Sequence, residues 1–356
     1  VYKAMLAEDR GIIERHKGEE DPDFTIKRAM ENAKERLIAY ENDDWTTILD
    51  THIRDYQKMV TQEQNLVGAI AEDYLYSMET TLEQLKIIHD KNIKPVFPIK
   101  RPITKSTFSS PKDEEAYRLA MKKFDASSMY FMYMAFGIFF GIFGIGFFIF
   151  LFNDILTKEG PGRGGPIHFL YTQPVKRFKV IVSKYIAMVI VSLAFLAGST
   201  GLSFILGTVF DRMGNGDYPI LINGDENAFS FMNLSTFLTK AMILFILGLL
   251  FTYALMFVLS IVTRNNLATL GGTFAILILG MKFGSQDYLS NIVHFIPFTY
   301  FSPEGVISRE TALALNNFDV TFKNGIISLT LSIIILWCLS YLLLKVKHGF
   351  KGGVPT

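Results

Sequence analysis

The stretch that decides the fold is residues 153–184, NDILTKEGPGRGGPIHFLYTQPVKRFKVIVSK. An apolar run lies on each side of it, at 129–152 and 185–210. Each run reaches the roughly 20 residues that a helix needs to cross a bilayer. The stretch between them is polar and basic: Lys158, Arg163, Lys176, Arg177, Lys179 and Lys184 stand against Asp154 and Glu159. Short loops with that bias face the cytoplasm. The stretch is also richer than a plain connector needs to be. A glycine-rich turn leads into an apolar segment, 167–171, and then into Pro174 and a basic cluster. That make-up suits a docking element for a cytoplasmic partner.

Composition separates two halves. Residues 1–125 carry 20 Lys and Arg and 24 Asp and Glu, with no long apolar run. Residues 126–356 carry 15 and 10 of these and most of the 32 Phe. A water-soluble segment therefore precedes a membrane segment. The single cysteine, Cys338, lies in an apolar run, which leaves no disulfide framework and no cysteine metal site.

The first 91 residues read as helical. Apolar residues fall on an imperfect helical stripe across 24–40. Asp44 is placed to cap a next helix carrying Trp45, Ile48, Leu49, Ile53, Tyr56 and Val60, and a third holds Leu66 to Leu85 at similar spacing. Three amphipathic helices of this kind pack into a small bundle. Residues 92–111 contain Pro95, Pro98, Pro102 and Pro111 among Ser and Thr and form an extended connector. A helix over 112–125 then leads into the membrane.

Five spans follow, at about 129–152, 185–210, 241–262, 267–281 and 325–344. The first has Gly137 and Gly141 in GxxxG spacing, which allows close helix approach. The fourth is short and reads as interrupted by Gly271 and Gly272. The segments 153–184, 263–266 and 345–356 hold 10 basic and 2 acidic residues; 211–240 and 282–324 hold 5 basic and 8 acidic. The first set is expected in the cytoplasm, with the C-terminus. Residues 1–125 are then extracytoplasmic, and the topology calls for a sixth span upstream of Val1. The expected fold is an all-α polytopic membrane protein of the plasma membrane with a helical extracytoplasmic domain.

Chemistry is sparse. The span interiors carry almost no ionisable side chains, whereas proton- or ion-coupled transporters place carboxylates or histidines near midplane. The remaining aromatic, Ser, Thr and Gly surfaces suit an amphipathic cargo. Residues 160–165 match GxGxxG, but no βαβ unit surrounds them, so they read as a flexible turn. No GxxxxGK[ST] phosphate loop, HExxH or GxSxG occurs, and the six histidines are scattered. No enzymatic activity, cofactor, metal site or nucleic-acid contact is expected of this chain.

The run Gly165-Pro166-Ile167-His168-Phe169-Leu170-Tyr171-Thr172-Gln173-Pro174-Val175-Lys176-Arg177, followed by Lys184, resembles the cytoplasmic loop of ABC-2 type transporter permeases. His294-Phe295-Ile296-Pro297-Phe298-Thr299-Tyr300-Phe301 resembles that family's segment before its last span, which re-enters the outer leaflet. Leu259-Ser260-Ile261-Val262-Thr263-Arg264-Asn265-Asn266 looks like its short inner loop. The resemblance covers 126–350. It departs from the family in Pro166, where a Thr is usual, in the longer glycine-rich turn, and in the 125-residue domain ahead of the spans.

The resemblance implies a dimeric permease, of like or unlike subunits, bound to two cytoplasmic ABC ATPase subunits that carry ATP and Mg. Export is the usual direction. It implies an ATPase-coupling helix in the loop, with Glu159, Gly165, Ile167, Phe169, Leu170, Tyr171, Pro174, Lys176, Arg177 and Lys179 as its contacts. Within segment 283–324 the apolar run 292–301 is too short to span, and Pro297 and Pro303 interrupt any helix there. It is expected to dip into the outer leaflet as a gate built on Phe295, Pro297, Phe298, Tyr300 and Phe301, the alternative being an interfacial helix anchored by its aromatics. An alternative is an assembly that moves no cargo and transmits force or signal to an outer partner through residues 1–125.

Overall fold

The computed structural model describes residues 2–15, 24–65, 72–96, 125–157, 177–263, 265–284 and 287–349. These fall into two compact units. One comprises Val1–Phe131, Phe210–Leu221 and Phe229–Leu234; the other comprises Met132–Val209, Ile222–Ala228 and Ser235–Thr356. The fold is all-α and polytopic in its membrane part.

The first unit begins with four helices, α1 (Tyr2–Arg15), α2 (Phe24–Glu41), α3 (Trp45–Asn65) and α4 (Glu72–Asp90), each packed on its sequence neighbour. The sequence stripes become the core: Ile48, Leu49, Tyr56 and Val60 of α3 and Leu82, Leu85 and Ile88 of α4 are buried. Asp44 caps α3 by accepting the Thr47 N–H at 3.2 Å and the Thr47 hydroxyl at 2.6 Å. Those two bonds hold its carboxyl below the ordinary carboxylate range. Arg36 is buried between Asp9, at 2.6 Å, and Asp55, at 2.8 Å. Burial opposes its charge, but the two carboxylates outweigh that cost and raise its pKa.

The expected connector beyond Val96 and most of the expected helix 112–125 lie outside the described residues. Residues 219–221 and 229–233 of this unit belong to a hairpin that the sequence analysis did not foresee. Residues β1 (Pro219–Asn223) and β2 (Phe229–Asn233) form a two-stranded sheet. The hairpin docks on α4: the Gln84 amide donates to the Pro219 carbonyl at 2.7 Å, and the Tyr76 and Phe229 rings meet edge to face.

The membrane helices are α5 (Ser128–Phe139), α6 (Ile142–Thr157), α7 (Arg177–Phe210), α8 (Leu234–Thr263), α9 (Asn266–Gly284) and, after the segment described below, a last long helix over Phe322–Gly349. Four helices are each long and apolar enough to cross a bilayer. The first expected span, 129–152, is not one rod: α5 and α6 meet at 68°, and as one crossing they make five. At the bend the Phe140 N–H closes the last turn of α5 on the Phe136 carbonyl, while the Ile145 N–H starts α6 on that of Gly141. Gly144 lies so close to the Phe139 carbonyl that any Cβ would collide with it. Hydropathy runs unbroken through this bend, so it carries no compositional sign. Gly271 and Gly272, in contrast, do not interrupt α9.

Helix α8 is the centre of the second unit. Phe245, Phe251, Tyr253 and Phe257 on it are buried. Tyr253 shares a 2.6 Å hydrogen bond with Ser192 of α7, and Tyr185 donates to the Leu250 carbonyl at 3.0 Å. Tyr185 also meets Trp337 edge to face.

Gly144→Ala should lower the thermal midpoint of the purified protein by several degrees, since overpacking costs about 1–3 kcal/mol. Gly198→Ala, where nothing lies within 4 Å, is the control. Equal midpoints for the two variants would remove Gly144 as the cause of the bend.

Candidate functional site

Between α9 and the last long helix the chain breaks into short turns. They are two 3-10 helices, Asp287–Phe295 and Pro297–Phe301, and two single-turn helices, α10 (Pro303–Ile307) and α11 (Glu310–Ala314). We number the last helix, Phe322–Gly349, α12. Pro297 and Pro303 each begin a turn, where a missing N–H costs nothing. The 3-10 turns pack on both α9 and α12.

Broken backbone among apolar helices must find hydrogen-bond partners within the protein. Side chains supply them here. The Asn317 amide donates to the Ser290 carbonyl. The Thr299 hydroxyl donates to Val293 at 3.0 Å, Tyr300 to His294 at 2.7 Å and Ser328 of α12 to Phe295 at 2.7 Å. The Asn324 amide holds the Asp319 carbonyl at 2.8 Å. Asn223 donates both its backbone and its side-chain N–H to the Ser308 carbonyl at 3.0 Å.

Glycines form the seat for this segment. The Phe298 ring occupies the space a side chain at Gly280 would take, 2.5 Å from its Cβ position. The Tyr300 ring does the same at Gly325, 2.6 Å away. The Glu304 carboxylate lies against Gly137, and the Phe301 carbonyl lies 3.5 Å from a Cβ at Gly141. The GxxxG pair thus receives the turn, rather than a second spanning helix. Phe251 of α8 completes the seat, edge to face with both Phe298 and Phe301.

Of the five expected gate residues, Phe298, Tyr300 and Phe301 come together, with Tyr300 and Phe301 fully buried. Pro297 opens their turn and is half-buried. Phe295 stands apart: it is 69% exposed and touches His294. Among the expected coupling residues, Glu159, Gly165, Ile167, Phe169, Leu170, Tyr171, Pro174 and Lys176 lie outside the described residues. Arg177 is the first residue of α7, and Lys179 is exposed on it. The stretch is anchored at its start, where the Asn153 amide bonds the Asn266 side chain. Asn265 caps α9 there through the Leu267 N–H at 2.9 Å.

Sequence reasoning passed over Gly280, Gly325, Glu304, Asn317 and Ser328. A glycine near the end of an apolar span and an asparagine in a proline-broken segment were the available signals. Neither names its partner.

Gly280→Ala should push Phe298 out of its seat. In a Cys338→Ser background, a cysteine in place of the exposed Ser302 reports this through its rate of reaction with a water-soluble thiol reagent. We expect a several-fold faster reaction with Gly280→Ala, and a return toward the parent rate when Phe298→Leu is added. An unchanged rate would show that the ring does not hold the turn.

A sequence model described as ABC-2 family transporter protein matches residues 46–286. The match begins in α3, upstream of the spans, and ends before the broken segment. No curated protein and no solved structure matches the chain. A match over most of the chain, joined to four or five apolar membrane helices, makes this protein a member of the ABC-2 transporter family, a membrane permease of the ABC type.

Proposed function

We propose that this chain is the transmembrane subunit of an ATP-driven exporter of amphipathic peptides or lipid-like molecules. The observation that carries the reading is the seat of segment 287–321: a chain break among membrane helices, with side chains bonding its carbonyls at Ser290, Val293, His294, Phe295 and Ser308 and aromatic rings resting on glycine surfaces. Rings resting in shallow seats separate from them without breaking polar bonds, which suits a gate. Segment 287–321 and residues 1–125 face outward, because the opposite ends of the spans carry the basic excess. A second permease completes the pathway.

ATP and Mg reside on separate cytoplasmic ATPase subunits, which dock on loop 153–184. Glu159 and the basic residues Lys176, Arg177 and Lys179 give that contact its charge pattern, and Ile167, Phe169, Leu170 and Tyr171 give it an apolar anchor. α7 continues from Arg177 at the loop to Phe210 as one helix, so displacement of the loop travels along a rigid rod.

A second reading has its own support. The Gln84–Pro219 bond ties α4 to the hairpin, and the Leu234 N–H ties the first residue of α8 to the Tyr218 carbonyl. The helical bundle is thus linked to the start of a membrane helix, as a transmitter of force to an outer partner requires. Under that reading Gln84→Ala abolishes the downstream response and leaves ATP turnover unchanged.

The gate is tested with Phe298→Ala and Phe301→Ala together, in complex with the cognate ATPase. We expect the complex to assemble and its basal ATP turnover or cargo efflux to change at least twofold. Wild-type values for both rates would make the segment an anchor.

A further inference from the structure

A cavity of about 320 Å³ lies within the first unit. Its walls come from three stretches: residues 92–96 after α4, residues 125–130 at the start of α5, and residues 212–218 after α7. Ser128 begins one apolar helix and Phe210 ends another, so two of these stretches adjoin the ends of apolar helices. Two backbone bonds, from Ser128 to the Arg212 carbonyl and from Met129 to that of Met213, hold these stretches together. Gly214 closes the turn with a φ of 77°; a Cβ there would meet the Ser127 hydroxyl at 2.8 Å.

Arg212 is the functional group of this cavity. Its Nη2 reaches Asp125 at 3.3 and 3.4 Å, longer than the 2.7–2.9 Å of a tight charge-assisted bond. Its Nε faces the Asp211 carboxylate at 3.9 Å, a loose ion pair, and among the described residues neither Nε nor Nη1 makes a hydrogen bond. Asp125, by contrast, is engaged by Arg212 through both oxygens and by the Ser127 hydroxyl. Lys94, also on the wall, is neutralised by Asp43 at 3.1 Å and lies 4.1 Å from the centre of the Trp45 ring. The carboxylate is therefore occupied and the guanidinium is only partly used. Planar guanidinium donors fit phosphate oxygens in pairs. Ile93, Val96, Tyr130 and Met213 supply an apolar wall beside them.

We propose that this cavity binds the phosphate of an anionic amphiphile, with Arg212 as the phosphate ligand and Asp125 as the internal counter-ion that the phosphate displaces. The same chemistry could come from a lipid headgroup or from a soluble phosphate ester.

Trp45, in contact with Lys94, reports occupancy once Trp337→Phe removes the other tryptophan. The full-length protein in detergent is titrated with dihexanoyl phosphatidylglycerol and, separately, with glycerol phosphate, and Trp45 emission is followed. We expect a saturable change. Arg212→Gln should raise its midpoint about tenfold or more, the loss of a charged hydrogen bond. Asp125→Asn should lower it, because the competing carboxylate charge is gone. Both variants break the same ion pair, so general damage would move both midpoints the same way. Saturation by the lipid alone assigns the site to a headgroup that needs its acyl chains; equal saturation by glycerol phosphate assigns it to a soluble ester. The proposal is overturned by no saturable change with either ligand, or by midpoints that do not move in opposite directions.

Discussion

The constraint on which the structure depends is the hydrogen bonding of broken backbone among apolar helices. An unpaired carbonyl there has no water to turn to, and leaving one buried costs about 1–3 kcal/mol. Segment 287–321 contains two prolines that begin turns and four short helical pieces, so it produces many such carbonyls. Asn317, Thr299, Tyr300, Ser328 and Asn324 answer them one by one. These bonds let broken backbone sit against helices. Gly137, Gly141, Gly280 and Gly325 then set how closely it sits.

This division of labour separates strength from mobility. The bonds from Thr299, Tyr300 and Asn317 lie within the segment, from Ser290 to Asn317. The contacts with α8 and α9 are aromatic rings on Phe251 and on a glycine surface. Ser328 and Asn324 are polar ties to α12, and Asn223 ties Ser308 to the hairpin. A unit bonded within itself and held on α8 and α9 by apolar contacts can shift against those two helices, which the proposed gate requires and a static anchor does not.

Long spans were legible because continuous hydropathy over 20 or more residues has few other readings. The cap at Asp44 was legible because a carboxylate ahead of a helical stripe has one obvious task, and Thr47 takes it up. The bend at Phe140–Gly141 was not, since apolar residues continue across it and only the closeness of Gly144 to the Phe139 carbonyl explains it. The GxxxG pair was visible, but spacing alone does not say what approaches, and the answer is Glu304 and the Phe301 carbonyl. The hairpin had a signal that went unread: PILIN and FSFMN flank GDENA, whose Glu226 and Asn227 adopt positive φ. Of the coupling loop, only its ends at Asn153 and Arg177 gain geometry.

The central claim is that the segment must leave its seat for the transport cycle to run. A disulfide across the seat tests it directly, with Gly137→Cys and Glu304→Cys placed where these residues meet, in a Cys338→Ser background. The complex with its ATPase is assembled, oxidised, and assayed for ATP turnover before and after reduction. The account predicts that the closed pair brings turnover down to that of the ATPase alone and that reduction restores it. Unchanged turnover with the disulfide fully formed would contradict it.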